Sequence, residues 1–330
     1  MRGWFGHFRI ERQVGRGGLG AVFRAVDTRS SATVALKLLP PGDPLAKTRL
    51  QREFAALRAL DHPNVVRVLD VGVTDDTLWL EMEYVEGLPL REWLSVCATF
   101  TMLEPDDGAH GSEGVDLDAL FDDEPDSGAL LAAARARKAA EAAGEAFALD
   151  PVEQAALNGS SRLTALCEAL AQVCDGLAQV HERGLVHRDI KPSNILVARG
   201  RRAILVDFGL VKRRMEPRIT DAGRVVGTYR YMAPEQAKGE PVDARSDLYS
   251  IGATLYELLT GRPPFQQEGQ MRLLQAVVAT PPVPIARINP GAPAAIGALA
   301  ERLLAKAPGD RPGDAAEVAR QLRAIAASVS

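Results

Sequence analysis

The spacing of apolar residues changes once along this chain, and that change limits its fold more than any other feature of the sequence. Before about residue 85 the apolar residues form short β-type runs bounded by turn residues, over 8–40, 65–73 and 77–84. One helix interrupts these runs, because residues 47–60 place apolar side chains at helical spacing and Asp61-His62-Pro63 ends the pattern. Helical spacing then dominates from residue 161, in the segments 161–181, 246–260, 268–279, 292–305 and 313–327.

These patterns predict an α+β protein with a small, β-rich N-terminal unit that contains one long helix, followed by a larger α-helical unit. The 330 residues are enough for about two packed units that need no disulfide or metal. The three cysteines, Cys97, Cys167 and Cys174, show neither CxxC nor Cys/His spacing, which argues against a disulfide framework and structural zinc. We find no signal-peptide pattern and no apolar stretch of about 18 residues, so we expect a cytoplasmic protein without a membrane segment.

Residues 100–160 separate the two units and differ from both in composition. Between Glu104 and Asp126 there are ten acidic residues and no Lys or Arg, so the net charge of −4 becomes +6 when this segment is left out. Such a composition predicts disorder over 104–126. Residues 129–149 hold eleven alanines and predict a helix, and Pro151 opens a second, short helix that ends at Asn158-Gly159.

A glycine cluster in the first unit, Gly15-x-Gly17-x-x-Gly20, has the spacing of a loop whose backbone approaches phosphates. Both dinucleotide-binding proteins and kinases use such a loop. A dinucleotide-binding turn opens a helix and is followed by an acid about 20 residues later, whereas this loop leads into a predicted strand and position 40 is a proline. There is also no GxxxxGK[ST] motif, which excludes the P-loop nucleotidases.

Four further motifs follow the glycine cluster: Val34-Ala35-Leu36-Lys37, His187-Arg188-Asp189 with Asn194 beyond it, Asp207-Phe208-Gly209, and Ala233-Pro234-Glu235. Their order and spacing resemble the catalytic domain of the eukaryotic-like, bacterial-type Ser/Thr protein kinases. The resemblance covers 8–99 and 161–327. It implies the two-lobed protein kinase fold over 1–330, with an N-lobe at 8–85, a C-lobe at 86–99 and 161–327, and 100–160 as an insertion.

The resemblance assigns a task to each polar motif residue. Phosphoryl transfer requires charge neutralisation on the triphosphate, a well-placed hydroxyl and an acceptor for its proton. Lys37 would bind the α- and β-phosphates of ATP, and Glu53 would hold Lys37. Asp189 would accept the proton of the substrate hydroxyl, while Lys191 would steady the transferred group. Two side chains would offer hard oxygen ligands to Mg²⁺ (or Mn²⁺): Asn194 and Asp207.

The same resemblance places ATP between the glycine loop and the hinge that joins the lobes. Val22, Ala35 and Leu196 would enclose the adenine ring. Met82 would be the gatekeeper, and the backbone from Glu83 to Val85 would pair with the base. The loop residues that would cover the phosphates are Gly15, Arg16, Gly17, Gly18, Leu19 and Gly20.

Other residues match supporting positions of the family. Glu235 and Arg311 match the pair that ties the activation segment to the C-lobe, and Asp247 lies in the helix that anchors the catalytic loop. His187 would be a packing residue near Phe208. His181 lies in no motif.

The activation segment 207–235 suggests how such an enzyme would be regulated. Arg188, next to the catalytic aspartate, would pair with a phosphorylated threonine of this segment. We predict Thr220 as that threonine, phosphorylated by the enzyme itself. Thr228 instead resembles the threonine that bonds Asp189 and shapes the substrate pocket.

The main prediction is therefore an active protein kinase that transfers the γ-phosphoryl group of ATP to Ser/Thr hydroxyls of proteins and needs no nucleic-acid partner. One alternative is a pseudokinase scaffold, although every motif residue that such a protein would lack is present. Another is a small-molecule phosphotransferase, against which the peptide-groove element 227–235 argues. The insertion 100–160 is either a tolerated surface loop or a regulatory arm that attracts a basic partner.

Overall fold

The N-terminal part of the protein is a six-stranded antiparallel sheet with the order β1-β2-β3-β4-β6-β5. A computed structural model describes residues 3–17, 20–39, 57–101, 148–208 and 229–329. The strands are β1 (Gly3–Phe5), β2 (Phe8–Gly17), β3 (Gly20–Asp27), β4 (Ala32–Leu38), β5 (Val68–Thr74) and β6 (Thr77–Glu83). This confirms the predicted β-rich unit, except that residues 65–67 precede β5, with an isolated bridge from Val65 to Leu205. Of the predicted helix 47–60, only 57–60 are described, and the chain has left the helix before Asp61.

The two faces of this sheet bury different sets of side chains, because side chains alternate along a strand. Val34 and Leu36 lie on the outer face in a cluster with Phe8 and Trp79. The other face carries Met82 and belongs to a cluster that includes C-lobe residues such as Phe208. The face that carries Met82, called the inner face below, therefore faces the C-lobe.

The C-terminal part is helical and is built around one helix that is buried along almost its whole length. That helix is α5 (Ala244–Thr260), in which every residue from Ser246 onward is buried. The other helices are α1 (Leu90–Thr101), α2 (Pro151–Asn158), α3 (Ser160–Glu182), α4 (Pro234–Lys238), α6 (Gln270–Ala279), α7 (Ile285–Ile288), α8 (Ala294–Leu303) and α9 (Ala315–Val329). The five predicted helical segments match α3, α5, α6, α8 and α9 to within two residues at each end. Nowhere in the described ranges is a helix both long and apolar enough to cross a bilayer.

A small second sheet lies at the junction of the two parts. Its strands are β7 (Gly87–Pro89), β8 (Ile195–Ala198) and β9 (Arg202–Leu205), in the order β7-β8-β9. The turn between the catalytic motif and β8 is the 3-10 helix Pro192–Asn194. This sheet holds the chain that directly follows the predicted catalytic loop.

The end of the 100–160 segment is an integral part of the C-lobe. Leu149 is buried in the C-lobe core, and its N–H donates to the carbonyl of Ile288 at 2.8 Å. Asp150 caps α2, and Asn158 at the end of α2 exchanges two side-chain hydrogen bonds with Asn289, at 2.7 and 2.9 Å. Residues 148–150 are not helical, so the helix predicted over about 129–149 does not include Ala148 and Leu149. The rest of that helix and the acidic segment 104–126 lie outside the described residues.

A buried carboxylate on the outer face of the N-lobe sheet makes the stability of the fold depend on pH. Glu81 is only 4% exposed and lies near Asp27 and Asp70, and the half-exposed Arg29 lies 3.6 Å from its carboxylate. Burial, reinforced by the neighbouring carboxylates, raises the pKa of Glu81 from 4.5 to about 7. The native state thus binds this proton more tightly than the unfolded chain, and stability falls as the pH rises from about 4.5 to 7.

We therefore expect Glu81→Gln to stabilise the protein at pH 8, by up to about 3 kcal/mol, and to have little effect at pH 5. Thermal unfolding at the two pH values measures the difference. The control is Glu168→Gln, which neutralises an exposed acid on α3 and should leave Tm unchanged at both. A Glu81→Gln variant with the same Tm change at pH 5 and pH 8 would contradict the proton linkage.

Candidate active site

The glycine cluster forms the end of the β2–β3 hairpin. Gly15 lies opposite Val22 in the sheet, and Gly17 lies opposite Gly20. Gly20 has a φ of +122°, and a Cβ at this position would lie 2.0 Å from the carbonyl oxygen of Leu38, so only glycine fits. Glycine at position 20 therefore allows the hairpin backbone to lie close to the backbone of Leu38. The tip residues Gly18 and Leu19 lie outside the described part of the chain.

Strand register brings Val22, Ala35 and Met82, three of the residues predicted to line the adenine site, to one face of the N-lobe sheet. Val22 pairs with Lys37 across β3 and β4, and Ala35 pairs with Met82 across β4 and β6. Directly paired residues point to the same face of a sheet. Ala35, Met82 and Val85 all pack in the inner cluster that includes Phe208. Leu196 lies on β8, where it is half-buried while Ile195 and Val197 on the opposite face are buried.

The hinge that follows β6 is held by backbone and side-chain contacts. The N–H of Glu83 donates to the carbonyl of Arg67 at 3.0 Å, and the Glu83 carboxylate accepts from the N–H of Arg67 at 3.2 Å. Tyr84 accepts a hydrogen bond from Arg12 at 3.1 Å, which connects the hinge to the hairpin strand β2. The hinge is thus fixed from both sides of the sheet.

The Asp189 carboxylate is oriented by two neighbouring side chains. Lys191 Nζ donates to Asp189 Oδ2 at 3.2 Å, and Asn194 Nδ2 donates to the same oxygen at 3.1 Å and to the Asp189 carbonyl at 2.7 Å. The peptide N–H of Asp189 donates to His187 Nδ1 at 3.3 Å. Three residues of one short loop thereby hold a carboxylate that can accept a proton.

Lys37 reaches across the cleft to Asp207. Its Nζ forms an ion pair with Asp207 Oδ1, and Lys37 is almost fully buried. Burial alone would raise the pKa of Asp207, but the charge and the hydrogen bond of Lys37 outweigh it and lower that pKa. Asp207 is therefore ionised at neutral pH. Glu53, the predicted partner of Lys37, lies outside the described residues.

The two candidate metal ligands are connected through the backbone. The N–H of Val206, next to Asp207, donates to the carbonyl of Asn194 at 2.9 Å. Because the amide nitrogen of Asn194 is used by Asp189, its amide oxygen is the atom that a cation would take. One carboxylate, one amide oxygen and the oxygens of a nucleotide match the way proteins bind Mg²⁺.

His187 packs against Phe208, next to the candidate metal ligand Asp207. Its ring centroid lies 4.5 Å from that of Phe208, and Nε2 donates to the carbonyl of Val206 at 3.2 Å. Burial lowers the pKa of His187, which keeps the ring neutral. These contacts agree with a packing residue.

The segment that follows residues 209–228 is fixed to the C-lobe by a buried ion pair. Arg311 donates to both carboxylate oxygens of Glu235, at 2.7 and 2.9 Å, and Ser246 Oγ donates to the same carboxylate at 2.5 Å. Burial would raise the pKa of Glu235, but the hydrogen bonds from Arg311 and Ser246 lower it. Gly209, Thr220 and Thr228 lie outside the described part of the chain.

A second connection to this segment was not predicted. The Tyr231 hydroxyl donates to Glu257 of α5, which also forms an ion pair with Arg91 in the first turn of α1. The three residues lie far apart in sequence and belong to no common motif. The packing of α1 against the other C-lobe helices brings them together.

A β-rich lobe and a helical lobe with Lys37, Asp189, Asn194 and Asp207 gathered between them define a protein kinase fold. Comparison with known proteins agrees: the family model "Protein tyrosine and serine/threonine kinase" matches residues 8–322. The chain therefore belongs to this family.

Individual relatives and a solved structure are also protein kinases. The chain is 31% identical over 318 residues to the serine/threonine-protein kinase PknH of Mycobacterium bovis, covering 96% of this chain and 43% of that protein. It is 34% identical over 314 residues to Pkn1 of Myxococcus xanthus, covering 93% of this chain and 36% of the relative. The chain thus spans less than half the length of these relatives. The PknI kinase domain of Mycobacterium tuberculosis has the same fold, with a TM-score of 0.62, 23% identity and coverage of 98% of this chain and 97% of that domain.

Proposed function

We propose that this chain is an active kinase domain that transfers the γ-phosphoryl group of ATP to Ser or Thr hydroxyls of proteins. The observation that carries this proposal is the held carboxylate of Asp189 beside the Lys37–Asp207 ion pair. The serine/threonine kinase names of the relatives support the choice of acceptor.

Each polar residue of the cleft then has one task. Asp189 accepts the proton of the substrate hydroxyl as that oxygen attacks the γ-phosphorus, and Lys191 supplies positive charge next to it. Lys37 supplies a cation to the α- and β-phosphates. Asn194 and Asp207 would hold the divalent cation, and a bound Mg²⁺ or Mn²⁺ would neutralise phosphate charge.

The Lys37–Asp207 ion pair implies that nucleotide binding changes the partners of both side chains. Lys37 is almost fully buried, and its charge is neutralised by Asp207, whose side chain is 35% exposed. A metal ion on Asp207 would replace Lys37 there and leave Lys37 for the phosphates and for Glu53.

Incubation with ATP labelled on the γ-phosphate tests the proposal. We expect label on the chain itself and on a generic protein substrate, with phosphoserine or phosphothreonine after hydrolysis. A pseudokinase would give no label on any acceptor. Label that reaches only small molecules would favour a small-molecule phosphotransferase instead.

Activation by phosphorylation of Thr220 is part of this proposal. A phosphate on Thr220 would add about two negative charges opposite the basic residues of the activation segment and Arg188. We expect Thr220→Ala to lower substrate phosphorylation by about tenfold or more and to reduce phosphate incorporation into the chain. Mass spectrometry of the incubated chain and initial rates provide the readout. Thr280→Ala, at an exposed position after α6, is the matched control. Unchanged rate and unchanged phosphate content in Thr220→Ala would contradict the assignment.

A further inference from the structure

Two side chains from other elements hold the C-terminal end of the central helix α5. The last carbonyls of a helix have no partner inside it, and every residue of this last turn is buried. Arg162, in the first turn of α3, donates to the carbonyl of Leu258 at 2.8 Å. Asn289 Nδ2 donates to the carbonyl of Leu259, also at 2.8 Å. Arg162 is 6% exposed and Asn289 is 0% exposed, so the end of α5 depends on these two donors.

Both donors are in turn held by α2. Arg162 also donates to the carbonyl of Leu157 at 2.8 Å. Asn289 exchanges its two hydrogen bonds with Asn158, the last residue of α2. Because a carbonyl only accepts, the bond to Leu259 fixes which atom of the Asn289 amide is the nitrogen. The Asn289 oxygen then faces Asn158 Nδ2, which is its one donor among the described residues.

The turn that these side chains cap also holds the segment after residues 209–228. Glu257 lies in this turn, directly before the two capped residues, and accepts the hydrogen bond of the Tyr231 hydroxyl. Tyr231 belongs to the predicted peptide-groove element 227–235. Arg91, on α1 just before the insertion, pairs with the same carboxylate. Both ends of the insertion 100–160 therefore meet at one turn of α5, next to the predicted site for protein substrates.

We propose that Asn158 is a positioning residue for the binding of protein substrates. It orients the Asn289 amide that caps α5, and the capped turn keeps Glu257 and therefore Tyr231 in place. This inference rests on the proposed kinase function. Asn158 lies in the insertion 100–160, outside the part of the chain that resembles the family, so its role does not follow from the motifs. Without Asn158, Asn289 keeps a buried oxygen that has no donor, which weakens the cap and allows the last turn of α5 to fray.

Asn158→Ala separates substrate positioning from general stability. We expect the KM for a protein substrate to rise about three- to tenfold, while kcat and the KM for ATP stay within about twofold. Val152→Ala, at a 74% exposed position of the same helix, should leave all three values unchanged. Ile325→Val, which removes a buried methyl group on α9, should lower Tm without changing the KM for the protein substrate. A KM for the protein substrate that rises equally in Ile325→Val would assign the effect to stability and overturn the proposal.

Tyr231→Phe tests the path through Glu257. It removes the hydroxyl that binds Glu257 and should itself raise the KM for the protein substrate. In this background Asn158→Ala should change that KM by less than about twofold, because residues that act through one contact are not additive. Effects of Asn158→Ala that are equally large with and without the Tyr231 hydroxyl would overturn this path.

Hydrogen exchange, followed by mass spectrometry, gives a readout that needs no activity. Asn158→Ala should speed the exchange of amides in 229–239 and 256–262, and Val152→Ala should not. Unchanged exchange together with an unchanged KM for the protein substrate would overturn the positioning role. A wild-type chain as inactive as Asp189→Asn would instead overturn the proposed kinase function, and the exchange data would still show whether Asn158 holds the end of α5.

Discussion

Asp189→Asn is expected to lower kcat for protein phosphorylation by about 10²- to 10⁴-fold. The amide has the shape of the carboxylate, and its oxygen can still accept the hydrogen bonds from Lys191 and Asn194. It cannot accept the proton of the substrate hydroxyl. The loss therefore reports on proton transfer while the loop keeps its conformation.

The KM for ATP and the Tm of this variant should stay close to those of the wild type, because none of the residues proposed to bind ATP is changed. Asp310→Asn, which makes the same chemical change in an exposed turn, should retain full activity. An Asp189→Asn variant that keeps more than about a tenth of the wild-type rate would show that another group takes the proton.

The regular elements and the motif residues could be predicted because both depend on local sequence. The helix α3 is recognisable from its spacing of apolar residues alone, and the β5–β6 turn from Thr74-Asp75-Asp76, in which both aspartates have positive φ. The motif residues Asp189, Lys191 and Asn194 lie within one loop, so their proximity follows from the sequence.

The contacts that hold the site could not be predicted, because they join distant parts of the chain. The ion pair of Lys37 with Asp207 depends on how the two lobes meet. The hydrogen bond between His181 and Asp247 joins residues that are 66 positions apart. The strands of the β7-β8-β9 sheet are three or four residues long, too short for an alternating pattern to stand out. Leu149 falls within the predicted insertion 100–160, because its burial depends on packing against the C-lobe, which its local sequence does not show.

Arg311→Met is expected to lower the free energy of unfolding by about 3–5 kcal/mol, the largest stability effect that we predict. The Arg311 side chain is 0% exposed and that of its partner Glu235 is 6% exposed. Removing the cation leaves the carboxylate charged and buried. It also leaves the carbonyls of Arg245, Ala305 and Lys306 without the hydrogen bonds that Arg311 donates to them.

The chain offers a matched control for this prediction. Arg323 and Asp175 form a similar two-bonded pair between α9 and α3, but their side chains are 51% and 34% exposed. Exposed ion pairs contribute about 0–1 kcal/mol to stability. The free energy of unfolding of Arg323→Met, measured by chemical denaturation, should therefore stay close to that of the wild type. Equal losses in the two variants would show that burial does not determine the cost.

The pH dependence of the loss separates the charge of Glu235 from the missing hydrogen bonds. In the wild type the lowered pKa of Glu235 adds stability above its ordinary value of 4.5, and this stability is lost as the pH falls through the lower folded value. In Arg311→Met the main opposing cause is gone, so burial raises the pKa of Glu235 and acidification favours the folded variant. The difference in the free energy of unfolding between wild type and Arg311→Met should therefore shrink as the pH is lowered from 8 to 5. A difference that stays constant over this range would assign the loss to the unsatisfied carbonyls, whose hydrogen bonds do not titrate.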